Sequence, residues 1–97
     1  MTDIEKVVEA MKAFNADPQQ VSFNPFRRPG MTMGNIADTL QYWLEEQTAS
    51  GRIRTDRIRT NKLIKEMLKQ GLIEELGKYR TMQCGSKYLM CYNLVDR

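Results

Sequence analysis

The sequence contains no histidine and only two cysteines among its 97 residues. Without histidine, the commonest general base of enzymes and the usual activator of a serine or cysteine nucleophile are missing. Cys84 and Cys91 cannot complete a structural zinc site within one chain, because such a site normally takes four cysteine or histidine ligands. A Gly-rich phosphate-binding loop is also missing. The composition therefore predicts that the protein is not an enzyme and uses no metal or cofactor.

Long hydrophobic runs are absent as well, since a transmembrane helix needs about 20 apolar residues and the apolar stretches here are far shorter. Residues 1–5 lack the basic and apolar regions of a signal peptide. We therefore expect a cytoplasmic protein in which both cysteines are reduced thiols, because disulfides are rare in that compartment. A chain of 97 residues can form one domain with a modest core.

Charge is distributed unevenly along the chain. Residues 1–50 carry four basic and seven acidic side chains, a net charge of −3. Residues 51–97 carry eleven basic and five acidic side chains, a net charge of +6, so the whole chain has a net charge of +3. Such asymmetry predicts an anionic partner for the C-terminal half. Nucleic acid is the first candidate, and an acidic protein surface is the second.

The first half of the chain predicts two helices joined by a Pro-containing arm. Apolar residues recur at helical spacing in residues 3–14 and in residues 32–47, where Trp43 is expected to anchor the core. Residues 19–30 lack this spacing, and within them residues 23–28 are either an arm that reaches DNA or a loop whose phenylalanines pack on the core. The apolar face of the first predicted helix consists of Ile4, Val7, Val8, Met11 and Phe14.

The stretch from Arg52 to Gly71 is strongly basic. It contains two acidic residues and seven basic residues, namely Arg52, Arg54, Arg57, Arg59, Lys62, Lys65 and Lys69. Its first residues, 52–54, predict a very short strand. A lysine-rich helix face is often only solvated surface, so the basic charge by itself does not establish a binding site.

The same stretch predicts a helix-turn-helix. Residues 55–59 are expected to form a brief helical turn, and residues 60–70 an amphipathic helix with Thr60 as its N-cap. The break is placed at Thr60 because Ile58 does not share the apolar face of the later residues. Gly71 is expected to end the helix in a left-handed conformation.

After the basic helix, the apolar period changes to that of strands and predicts a β-hairpin. A two-residue turn at 85–86 would pair Tyr79 with Tyr92. In this register Cys84 and Cys91 are not cross-strand partners, so no intrachain disulfide is expected. One face of the second strand, expected to pack on the helices, consists of Tyr88, Met90, Tyr92 and Leu94.

This order of elements resembles the winged helix-turn-helix family. The resemblance covers about residues 32–95 and is carried by K-L-I-K-E-M-L-K-Q-G-L-I-E-E (62–75) and K-Y-L-M-C-Y-N-L-V (87–95). It implies an α+β fold with a three-helix core and a C-terminal β-hairpin wing in a winged-helix domain at 32–97. An extra N-terminal helix and the Pro-containing arm, residues 1–31, would complete a single compact domain.

The resemblance also implies a small DNA-binding protein that regulates transcription. Helix 60–70 would lie in the major groove of double-stranded DNA, where Asn61 could read an adenine, and the wing at 77–87 would contact the phosphate backbone. The N-terminal helix would either form a homodimer surface or cap the domain. The implied DNA-binding residues are Arg52, Arg54, Arg57, Arg59, Asn61, Lys62, Lys65, Lys69, Lys78, Arg80 and Lys87.

A protein-interaction module is the alternative. In this hypothesis the same basic surface binds an acidic protein partner, as in a small inhibitor or adaptor of a nucleic-acid machine encoded by a mobile element. DNA binding requires the basic residues of 52–69 and 78–87 to lie on one continuous surface. A protein interface would instead show an exposed apolar patch, with Phe23, Phe26, Met31 and Met33 as its candidate members.

Overall fold

The structure is a computed structural model that describes residues 1–17, 29–47, 53–80 and 88–95. Three helices and five strands follow one another within these ranges. The helices are α1 (Asp3–Ala16), α2 (Met33–Leu40) and α3 (Arg57–Lys69). The strands are β1 (Met31–Thr32), β2 (Trp43–Gln47), β3 (Ile53–Thr55), β4 (Ile73–Arg80) and β5 (Tyr88–Leu94). The expected α+β class is confirmed.

The strands form two antiparallel sheets. A three-stranded sheet has the order β1-β5-β4, and β2 pairs with β3 in a separate two-stranded sheet. All three helices and the three-stranded sheet contribute to one hydrophobic core. Its buried residues are Val7, Met11, Met31, Ile36, Ile64, Met67, Ile73, Tyr92 and Leu94.

The N-terminal helix α1 is part of this core. Thr2 caps it by accepting a hydrogen bond from the backbone N–H of Glu5 at 3.2 Å, and the Glu5 side chain accepts from the Thr2 backbone in return. Val7 and Met11 are completely buried, which confirms the predicted apolar face. Because this face is used inside the domain, the homodimer predicted through α1 would have to use the polar face of the helix.

The helix predicted at 32–47 is wrong in its second half, because α2 ends at Leu40. Gln41 adopts a left-handed conformation with a φ of 57°. Its backbone N–H donates to Asp38 at 3.3 Å, and the N–H of Tyr42 donates to Ala37 at 2.9 Å. These two bonds close the last turn of α2 and redirect the chain into β2. The turn could not be predicted from the apolar spacing, because that spacing continues past it.

Trp43 is not the core anchor that its spacing predicted. Its side chain is 38% exposed, and Nε1 donates to Oδ1 of Asp38 at 3.0 Å. The neighbouring Tyr42, only 6% exposed, is buried in its place. The cause is the turn at Gln41, which rotates the following residues away from the helical face on which Trp43 was expected.

Helix α3 begins earlier than expected and is continuous. Asp56 is its N-cap and accepts a hydrogen bond from the backbone N–H of Arg59 at 3.1 Å. Thr60 is buried inside the helix, where its hydroxyl donates to the carbonyl of Asp56 at 2.7 Å. The prediction of a separate helical turn at 55–59 is therefore wrong. Ile58 does not require a break, because the helix leaves its side chain exposed.

The short strand expected at 52–54 is found as β3, Ile53–Thr55, although Arg52 lies outside the described residues. β3 pairs with β2 and so forms a hairpin directly before α3. The end of α3 agrees with the sequence. Gly71 has a φ of 72°, its N–H donates to Leu68 at 3.1 Å, and the N–H of Leu72 donates to Met67 at 3.0 Å.

The predicted register of the β4–β5 hairpin is wrong. Tyr79 pairs with Leu89, and Tyr92 pairs with Glu75. The pairing shifts between Glu75 and Lys78, next to Gly77 with its φ of 103°. The predicted turn at 85–86 lies outside the described residues.

The expected inner face of β5 is confirmed for its second half. Tyr92 and Leu94 are buried in the core and Met90 packs against it, whereas Tyr88 is 61% exposed. Cys91 is buried and its Sγ donates to the carbonyl of Leu89 at 3.8 Å, and Cys84 lies outside the described part of the chain.

Hydrogen bonds between two side-chain amides, those of Asn15 and Asn93, connect the end of α1 to β5. Asn93 of β5 is buried, and its Nδ2 donates to Oδ1 of Asn15 at 2.7 Å and to the carbonyl of Pro29 at 2.8 Å. Nδ2 of Asn15 donates back to Oδ1 of Asn93 at 3.0 Å. A buried amide is costly unless it is hydrogen-bonded, so these bonds position the end of α1 against β5.

Candidate nucleic-acid interface

The outer face of α3 carries a stripe of lysines. Thr60, Ile64 and Met67 are the residues that α3 buries. Helical spacing places four exposed residues on the opposite side of the helix. This outer stripe consists of Ile58, Lys62, Lys65 and Lys69. The three lysines therefore point to solvent together, along the same side of the helix.

The positive charge of α3 has little compensation nearby. Within Arg57–Lys69 there are five basic residues and one acid, Glu66, which gives a formal charge of +4. Glu66 accepts a hydrogen bond from Nε2 of Gln70 at 2.9 Å. Among the described residues, the ion pairs are Lys6–Asp3 and Lys12–Glu9, both on α1. The field of the α3 lysines is thus directed to solvent and favours an anionic ligand.

The first turn of α3 contains Arg57 and Arg59 and no acidic residue. A helix N-terminus carries partial positive charge, so cations there oppose the helix dipole, whereas an anion would be favoured by both the dipole and the arginines. The Asp56 cap offsets only part of this charge. The two arginines therefore destabilise the start of the isolated helix, but they favour the binding of an external anion there.

Arg59 makes a specific contact away from the outer stripe. Its Cζ lies 3.9 Å from the centroid of the Tyr42 ring, a cation–π contact. The Tyr42 hydroxyl donates to Oδ2 of Asp3, and the Tyr42 carbonyl accepts from the N–H of Asp56 at 2.8 Å. Tyr42 thereby joins α1, the β2–β3 hairpin and the start of α3. Sequence reasoning missed this contact, because no local pattern connects the two residues.

The surroundings of Tyr42 keep its hydroxyl protonated. Burial raises the pKa of Tyr42 above its usual value, and the hydrogen bond to Asp3 and its charge raise that pKa further. The positive charge of Arg59 lowers the pKa, but its effect is smaller than that of burial. The hydroxyl therefore remains a donor to Asp3 at neutral pH.

Arg54 and Arg57 are brought to one groove. This groove, with a volume of about 620 Å³, lies between the β2–β3 hairpin, the start of α3 and the start of α2, and Leu89 of β5 also lines it. Both arginines are exposed. Asn61 is exposed one turn after Arg57, between the groove and the outer stripe.

Lys78 is an exposed basic residue of the β4–β5 hairpin. Lys78 is exposed and pairs with Met90, whose side chain packs against the core. Paired residues of antiparallel strands place their side chains on the same side of the sheet. Lys78 therefore extends from the side of the sheet that the helices cover. Arg80 ends β4 opposite Tyr88, and Arg52 and Lys87 lie outside the described residues.

Comparison with protein-family models, curated proteins and solved structures gave no match. The part of the chain described by the structure has no helix long and apolar enough to cross a membrane. In that same part, histidine, cysteine, aspartate and glutamate side chains form no group of three or more that could hold a metal ion. The chemistry of the surface around α3 is therefore the basis for inferring function.

Proposed function

We propose that this protein is a small double-stranded-DNA-binding protein, of the type that regulates transcription. It uses α3 in the major groove and the β4–β5 hairpin, as a wing, on the phosphate backbone. The order of helix, short strand, helix, basic helix and hairpin is compatible with a winged helix-turn-helix. The chain departs from that pattern in one respect, because the β2–β3 hairpin lies between α2 and α3, where a helix-turn-helix has only a short turn.

The observation that carries the proposal is the outer stripe. Lys62, Lys65 and Lys69 are exposed along one side of α3, with no ion-pair partner among the described residues. Helix α3 has 13 residues and is therefore about 20 Å long. A major groove about 12 Å wide admits such a helix. Its lysines would then reach phosphates on the groove walls, and Asn61 could pair with an adenine edge.

Two neighbouring features support the same orientation. Arg57 lies in the first turn of α3, where the helix dipole favours a phosphate. Lys78 extends from the helix-covered side of the sheet, so a duplex bound to α3 would pass near the wing. Arg59 is different, because its guanidinium is held over Tyr42 and serves to fix the start of α3.

Fluorescence anisotropy with a labelled duplex of about 30 base pairs, titrated at about 50 to 300 mM salt, tests the proposal. The wild type is compared with Lys62→Ala/Lys65→Ala. Lys6→Ala/Lys12→Ala is the matched control, since it removes the same charge from exposed positions on α1. Circular dichroism establishes that all three proteins are folded.

We expect binding that weakens steeply with salt. The log–log slope should become shallower by about 1.8 in Lys62→Ala/Lys65→Ala, because each phosphate contact contributes about 0.9. The α1 control should lose less affinity and retain the wild-type slope. Absence of binding at low salt, or equal losses in the two double variants, would contradict the proposal.

A second candidate function is favoured by one observation, the apolar side chains in the groove beside α3. The protein would then be a small inhibitor or adaptor that binds an acidic protein surface. In that case the affinity for generic DNA would be low, and variants in the groove would affect partner binding more than variants in the outer stripe.

A further inference from the structure

The groove between the β2–β3 hairpin and the start of α3 combines apolar and basic side chains. Its apolar part is formed by Met33, Leu44, Ile58 and Leu89, which come from α2, β2, α3 and β5. Arg54 and Arg57 are its basic residues. Residues from five separate elements thus meet at one surface that none of these elements forms alone.

The apolar side chains are accessible to a ligand. Ile58 is 84% exposed and Leu44 is 38% exposed, and neither belongs to the hydrophobic core. Met33 and Leu89 are half-buried beside them. Exposed aliphatic side chains that converge on one groove favour a ligand with apolar groups of its own.

The positive charge of the groove favours a negatively charged ligand. Arg54 and Arg57 are both exposed, and neither has an ion-pair partner among the side chains that the structure describes. Asp56 also borders the groove, but its carboxylate accepts the N–H of Arg59 as the cap of α3. A guanidinium binds a carboxylate with two parallel hydrogen bonds, so the groove is complementary to aspartate or glutamate.

These properties differ from those of the outer stripe. Beyond Ile58, the stripe consists of lysines alone, which suits the sugar–phosphate backbone. The groove places Arg54 beside Leu44, its partner across the hairpin, and brings Arg57 and Ile58 of α3 to the same surface. A peptide with acidic and apolar side chains satisfies both kinds of contact, whereas a phosphate backbone satisfies only the charge.

We propose that this groove is a docking site for an acidic segment of a partner protein that inserts one or two aliphatic or aromatic side chains between Arg54 and Arg57. The inference goes beyond DNA binding and does not depend on it. Residues 18–28 of the chain itself are poorly suited to fill the groove, because they contain two arginines and no acid.

Selection from a phage-displayed library of random peptides about 12 residues long, panned on the full chain, tests the proposal. The enriched peptide is synthesised with a fluorescent label and its affinity is measured by anisotropy. Ile58→Ser removes the exposed apolar group, and Arg54→Glu reverses one charge. Lys62→Ala/Lys65→Ala is the control, since neither lysine lines the groove. A poly-glutamate peptide of equal length tests charge alone.

We expect enriched peptides that combine acidic residues with leucine, isoleucine or phenylalanine. Ile58→Ser and Arg54→Glu should each weaken binding about tenfold or more, as is usual for a central contact. The lysine double variant should bind the peptide as the wild type does, even though its DNA binding is reduced. Loss of DNA binding with retained peptide binding would therefore separate the two proposals.

Four results would overturn the proposal. Panning that enriches no acidic-apolar consensus is the first, and peptide binding that Ile58→Ser leaves unchanged is the second. The third is poly-glutamate that binds as tightly as the selected peptide, which would show that only charge matters. The fourth is a dimer, measured by light scattering, that Ile58→Ser converts to a monomer, because a second copy would then occupy the groove. Ile58 is so exposed that its substitution should not impair folding.

Discussion

The guanidinium of Arg59 lies over the ring of Tyr42, with Cζ 3.9 Å from the ring centroid. The same tyrosine donates a hydrogen bond to Asp3. The two contacts hold α1 and α3 against the start of the β2–β3 hairpin. Tyr42, which lies outside the helix, therefore helps the buried residues Ile64 and Met67 to orient α3 and its basic side chains.

The first prediction concerns the stability that this contact provides. Arg59→Ala should lower the free energy of unfolding by about 0.5–1 kcal/mol, the usual value of an exposed cation–π contact. Arg57→Ala is the matched control in the same helical turn. It should leave stability unchanged or slightly higher, because Arg57 opposes the helix dipole. Urea denaturation measures both, and equal losses in the two variants would show that the ring contact contributes nothing.

The second prediction concerns alkaline pH. Burial raises the pKa of Tyr42 and, together with the nearby charge of Glu75, that of Tyr92. In the unfolded chain each phenol ionises near pH 10. Each protonated tyrosine therefore makes its full contribution to the free energy of unfolding below about pH 10, and this contribution is lost as pH rises through the higher folded-state pKa.

Stability measured between about pH 9 and pH 11 should therefore fall less steeply in Tyr42→Phe and in Tyr92→Phe than in the wild type. The double variant should show the weakest dependence. The reasoning would be refuted if all four proteins lost stability in parallel over this range.

The third prediction concerns Gly30, the residue before β1. A Cβ atom on Gly30 would lie 2.2 Å from the carbonyl oxygen of Tyr92, and backbone atoms cannot give way as a flexible side chain can. Gly30→Ala should therefore destabilise the protein by about 3 kcal/mol.

Gly34→Ala provides the comparison. Its Cβ would lie 3.8 Å from the Thr32 hydroxyl, and alanine is the better helix former, so stability should rise by about 0.5–1 kcal/mol. Thermal denaturation of both variants measures the contrast. Similar melting temperatures for the two would mean that β1 and β5 are not packed as closely as the structure has them.

The fourth prediction concerns the turn that ends α2. Gln41 has a φ of 57° and an exposed side chain, so Gln41→Gly should relieve a strain of about 1 kcal/mol without losing a core contact. Gln70→Gly is the control, because Gln70 ends α3 with an ordinary right-handed φ of −77°. That variant should be less stable than the wild type by about 0.5–1 kcal/mol. A shift in the same direction for both would contradict the assigned turn.

Local signals in the sequence predicted much of the fold. The apolar face of α1 and the glycine after α3 each depend on residues a few positions apart, and the structure has them as expected. The inner face of the second half of β5 follows in the same way from simple alternation. The exposed positions of Lys62, Lys65 and Lys69 could also be predicted, because helical spacing determines the side of α3 on which they lie.

Features that depend on distant residues could not be predicted in this way. Gln41 carries no signal for a left-handed turn, so the apolar spacing through Trp43 suggested a longer helix. Tyr42 meets Arg59, and Asn15 meets Asn93, only after the chain has folded. The groove joins residues from several elements, and of its expected apolar members only Met33 lines it, since Met31 is buried and Phe23 and Phe26 lie outside the described residues.

The position of β5 at the centre of the sheet has a consequence for biosynthesis. β5 follows all the other described elements along the chain, yet β1 and β4 pair with it and not with each other. Contacts between distant parts of a chain form slowly and only when both parts are present. Without β5, therefore, β1 and β4 lack their partner and the three-stranded sheet cannot form. Commitment to the native topology must wait for the last strand to emerge.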